Sequence, residues 1–93
     1  MSNSFFHGIM FHQFHDNKYF KKIPGSLSER HLIKIIKSYD VKNILTPEKF
    51  IEKISKNKLR NFHICLTFDD ALQSQIKIAL PVLERFNLKA FFF

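Results

Sequence analysis

Apolar residues along this 93-residue chain fall into short runs and helical stripes separated by polar breaks. The densest run, Phe62-His63-Ile64-Cys65-Leu66-Thr67-Phe68, is rich in aromatic and branched side chains. Bounded by Arg60-Asn61 on one side and Asp69-Asp70 on the other, it predicts a buried strand. By alternation His63, Cys65 and Thr67 share one face, opposite Phe62, Ile64, Leu66 and Phe68. Beyond the acids, Ile76, Ala79, Leu80, Leu83 and Phe86 recur at helical spacing, and Lys89-Ala90-Phe91-Phe92-Phe93 predicts a further strand. Pro81 removes a hydrogen bond, so the helix either starts late, near Leu80, or runs from Leu72 or Gln73 to Phe86 distorted at its start, and the single distorted helix is the expectation. Strand, acidic turn, helix and strand together spell one βαβ unit, with the acids at the carboxyl end of its first strand.

The upstream pattern is similar in kind. Phe6 to Phe14 predicts a strand, and Asp16 to Leu27 a polar loop broken by the Pro24-Gly25 turn signal, long enough to cover a pocket. Ser26 and Glu29 stand at capping-box spacing ahead of a helix over about 28–38, whose apolar stripe is Leu32, Ile35, Ile36 and Tyr39. His31 falls on its polar side. Val41 to Leu45 predicts a short strand or extended connection. Thr46 then caps a helix with Pro47 in its first position, and Phe50, Ile51 and Ile54 are expected to face inward. Ser55 to Asn61 is a polar linker into the central strand.

Composition narrows the class. With 45% hydrophobic and 25% charged residues and twelve phenylalanines, the chain is a globular α/β sequence, with nothing that suggests disorder. The net charge of +7 is carried by scattered lysines and arginines, of which only Lys21-Lys22 are adjacent, so the cations read as solvated faces and no specific nucleic-acid partner is expected. Cys65, the single cysteine, excludes an intrachain disulfide and reads as a small core residue. No basic start or small-residue cleavage site marks a leader, and no apolar run reaches bilayer length, so a cytoplasmic location without a transmembrane segment is expected.

Candidate chemistry centres on Asp69-Asp70. Ligands of parallel α/β sheets and barrels bind beyond the carboxyl ends of the strands, where this pair is expected. Adjacent carboxylates repel unless a cation shares them, and a divalent metal would hold both ionised. Both can reach one site only where the strand breaks into a turn, which suggests that one ligates a metal while the other takes a proton from water. His12 and His15 offer a second constellation: two ligands on a turn, or a pocket-lining His12 beside a loop residue. Gln73, Ser74 and Gln75 are candidate pocket-rim groups or an ordinary polar first turn.

Leu66-Thr67-Phe68-Asp69-Asp70, a helix, and then Leu88-Lys89-Ala90-Phe91-Phe92-Phe93 resemble the first motif of the polysaccharide deacetylases (the NodB-homology domain), written TFDDG and followed by a helix and an A-T-F-F strand. Gly8-Ile9-Met10-Phe11-His12 resembles the L-M-Y-H opening strand of many members, and Thr46-Pro47-Glu48-Lys49-Phe50 their T-x-x-E-F helix start. The resemblance implies that Asp69 is the catalytic base and Asp70 a ligand of a divalent metal, commonly zinc. His12, Thr67 and Ala71 would then belong to the pocket or support the ligand, since the family's metal histidines lie in a second motif. Ala71 stands where the family has glycine, and the second motif and later barrel strands would lie beyond Phe93. The expectation is therefore an amino-terminal fragment, residues 1–93, made of the first βα units of a distorted (β/α) barrel, incomplete here and inactive alone. The implied activity is metal-dependent hydrolysis of the acetamide C–N bond of an acetylated sugar or glycan. The alternative is a non-catalytic small α/β module whose acids cap the helix start.

Overall fold

The computed structural model describes residues 7–70 and 72–93. Three parallel strands, β1 (Gly8–Phe11), β2 (Cys65–Phe68) and β3 (Phe91–Phe92), form one sheet in the order β1-β2-β3. Parallel neighbours need crossovers, and here these are helical: α1 (Glu29–Ser38) and α2 (Pro47–Ser55) between β1 and β2, α3 (Leu80–Arg85) between β2 and β3. This is a small α/β architecture, and the βαβ unit expected around the acid pair is present.

Alternation divides the sheet. Ile64, Leu66 and Phe68 join Phe11, Leu32 and Ile36, together with Ile78, Ala79, Val82 and Leu83, in the apolar core under α1 and α3. Phe68 is fully buried and its ring stacks on Phe11, Phe14 and Phe92. On the opposite face Gly8, Met10, Cys65, Thr67, Phe91 and Phe93 line an apolar cavity of about 440 Å³, with Phe50 at its edge and Asp69 also on its wall. Burial pushes the Cys65 thiol up from its ordinary range, in keeping with a packing residue.

Several local expectations are corrected. The first strand is four residues long; Phe6 lies outside the described residues, and Phe14 makes an isolated parallel bridge to Leu27, which folds the polar loop back alongside β1. The cap of α1 is Ser28, not Ser26: its hydroxyl accepts from the His31 N–H at 3.2 Å, and the Ser28 N–H reaches His31 Nδ1 at 3.4 Å. Imidazole takes the part expected of Glu29, so exposed His31 is a capping group, while the Ser26 hydroxyl closes the turn on Ile23. Val41–Asn43 is a single 3₁₀ turn, after which Ile44 bridges Ile64. Thr46 and Pro47 start α2 as expected, yet Ile51 and Ile54 are 58% and 53% exposed, because no described element lies over that face of the helix. Only half-buried Phe50 of the three packs, edge-on against His7 and Phe91.

Candidate active site

The register of the sheet sets the geometry. Phe11 is paired with Phe68, so β1 and β2 end side by side, and the next residue of each chain segment emerges at the same edge. The last rung is the Asp69 N–H, which donates to Phe11 O at 3.0 Å. Asp69 is half-buried and faces the apolar cavity; Thr67, one alternation earlier, lines the same wall and donates its hydroxyl to Ile9 O at 3.2 Å. Asp70 departs from the ladder with φ +69°, a left-handed conformation that aspartate tolerates better than most residues. That reversal ends the strand and turns the Asp70 side chain across the strand ends.

There it meets His12. The Asp70 carboxylate Oδ2 lies 2.5 Å from His12 Nε2, and an ionised carboxylate only accepts, which puts a hydrogen on Nε2. Both side chains are more than half exposed, 54% for His12 and 67% for Asp70. The chain separation of this contact is 58 residues, so it exists only because two parallel strands end together. His15 does not converge with His12; its Nδ1 lies 2.7 Å from the Ser26 hydroxyl. The two-histidine arrangement is thereby set aside. Ala71 lies outside the described residues.

Beneath the acids the helix opens with a wide π turn, Gln75–Ala79, which fits Pro81 into the continuous helical path. Gln73 is exposed and lies beside Asp16, Tyr19, Phe20 and Lys77, away from the cavity that Asp69 lines, whereas Ser74 and Gln75 turn into the protein. Ser74 Oγ accepts from the Phe14 N–H at 3.2 Å. Gln75 Nε2 donates to His12 O at 2.7 Å and to Asp69 O at 2.6 Å. Sequence periodicity selects Ile76 for the buried stripe; the structure exposes Ile76 and buries Gln75, because the amide bridges two carbonyls at the strand ends. Polarity hid the residue. The available signal was a Ser-Gln pair one turn beyond a strand-ending acid pair, in phase with Ala79 and Leu83.

Neither a protein-family model nor a curated protein matches the chain. Among solved structures, a de-N-acetylase from Aggregatibacter actinomycetemcomitans superposes over 92% of the chain with a TM-score of 0.69 at 21% identity. The chain has a deacetylase-like fold. It spans 36% of that enzyme's length. Within this deacetylase-like fold, Asp70 and His12 pair a carboxylate oxygen with an imidazole nitrogen where the two strands end. Among the described residues, no three His, Cys, Asp or Glu side chains form a metal-binding group. No helix among them is long and apolar enough to cross a membrane.

Proposed function

We propose that this chain carries the first catalytic segment of a metal-dependent carbohydrate N-deacetylase, built on the opening βα units of a distorted (β/α) barrel. The observation that carries the reading is the junction where β1 and β2 end together and bring His12, Asp69 and Asp70 to one edge of the sheet. Its support is the overall likeness to a de-N-acetylase. A divalent ion bound there, zinc by its donor preference, would polarise an acetamide carbonyl and acidify a water. Asp70 would hold the ion through a carboxylate oxygen. His12 fixes the orientation of that carboxylate, as hydrogen-bond partners of ligating groups do. Asp69, the preceding residue, whose side chain lines the apolar cavity, would take the proton of the attacking water and return it to the departing amine, so that acetate and a free amino sugar result. An acetylated sugar or glycan is thus the proposed substrate.

The test is acetate release from N-acetylated oligosaccharide by the protein that carries this chain. Asp69→Asn is expected to lower the rate by about 10²–10⁴-fold, the usual effect of losing a general base. Asp70→Ala is expected to abolish the dependence on added metal. Equal rates in the wild type and Asp69→Asn would contradict the assignment and favour a non-catalytic α/β module.

A further inference from the structure

Gln75 is fully buried, yet its side chain leaves one polar atom without a partner. Its amide nitrogen donates both hydrogens, to His12 O and to Asp69 O, and its Oε1 makes no hydrogen bond among the described residues. The assignment of the amide is forced, because the reverse orientation would set Oε1 against two carbonyl oxygens. A buried acceptor left unmade costs free energy, so a residue selected for packing alone at this position would be apolar. The amide nitrogen must therefore repay its orphaned oxygen.

The two carbonyls it joins belong to the first residues past β1 and β2. The backbone ladder stops at the bond from the Asp69 N–H to Phe11 O, and the Gln75 amide acts as the next rung, tying His12 to Asp69 after the strands have diverged. Ser74 adds a parallel tie to Phe14, two residues beyond His12. Both ties spring from the start of a wide helical turn, a feature that recurs at functional sites.

We propose that Gln75 is a positioning residue: by clamping the His12 and Asp69 carbonyls it holds the two strand ends in the register that places the His12 imidazole against the Asp70 carboxylate. This rests on the reading of Asp70 as a metal ligand only for its functional consequence; the clamp itself is a property of the metal-free chain. Gln75→Met keeps the volume and removes both donors. Gln75→Glu keeps the shape and faces the carbonyls with oxygens.

The experiment records amide and side-chain resonances of the chain by NMR without metal, and then the broadening caused by added Mn²⁺. In both variants the core signals of Phe11, Leu66 and Phe68 are expected to stay in place, while those of His12, Asp69 and Asp70 shift and the Mn²⁺ affinity at Asp70 falls about ten- to hundred-fold. Unchanged His12, Asp69 and Asp70 signals overturn the proposal. Loss of the core signals in both variants also overturns it, since the residue would then serve the fold at large. If the wild type shows no Mn²⁺ broadening at Asp70, the metal reading fails, and the metal-free shifts alone decide the clamp.

Discussion

Phe68 shows how one residue carries both stability and site. Its ring lies against Phe11, Phe14 and Phe92 at centroid distances of 5.1, 5.9 and 4.9 Å, and its backbone precedes the acid pair. Truncating a fully buried phenylalanine typically costs about 3–5 kcal/mol, most of the stability of a small domain. Phe68→Ala is therefore expected to leave the chain largely unfolded in urea titrations near neutral pH, and a loss below about 1 kcal/mol would contradict its place at the centre of the core. The burial of Phe68 and the end of the strand at the acid pair were legible from alternation and polarity. The contact of Asp70 with His12 was not, because it depends on a left-handed turn and on a partner far away in the chain. Gln75 was misplaced for a related reason: its burial is a consequence of backbone carbonyls, which no side-chain pattern records.

Elements were legible where local chemistry decides them. Thr46 and Pro47 announce α2, and the Thr46 hydroxyl accepts from the Lys49 N–H at 3.2 Å. Because no residue of α2 is buried, this helix leans on its cap more than α1 does. Thr46→Ala removes about 0.5–2 kcal/mol of cap energy, and the expected result is faster amide exchange confined to Pro47–Ser55, with β2 unaffected. Unaltered exchange in α2 would show that tertiary contacts, not the cap, hold it. The periodicity of α2 correctly marked one apolar face but could not say whether anything lay upon it. In α1 the Ser26–Glu29 spacing pointed to a cap two residues too early, because the actual cap, Ser28, is completed by an imidazole that sequence rules do not count among capping partners.

Across the whole molecule, His63 couples three segments. It is buried just before β2, its Nδ1 accepts from the Arg60 N–H at 3.0 Å, and its carbonyl receives His7 Nδ1 at 2.9 Å. Burial first, and then the charges of Lys53, His7 and Arg60, hold its pKa below the ordinary imidazole range. A group whose folded pKa is depressed favours its neutral form in the fold, so this contribution is complete above the unfolded imidazole pKa and is lost as pH falls through the lowered value. The thermal midpoint is expected to drop on acidification from pH 7 to about 5, and His63→Gln to flatten that slope. An identical slope in the variant would remove His63 from the account.

The parallel sheet with helical crossovers was legible from the alternation of strand and helix patterns, and the likeness to a de-N-acetylase agrees with it over 92% of the chain. What joins fold to chemistry is the metal reading of Asp70. Zinc titration of the chain, followed by its thermal midpoint, tests that reading most directly. A ligand that binds the folded state raises the midpoint by mass action, so the wild type is expected to gain stability with added zinc while Asp70→Ala does not. The same rise in both proteins, or none in the wild type, would contradict the claim that this strand end holds a metal.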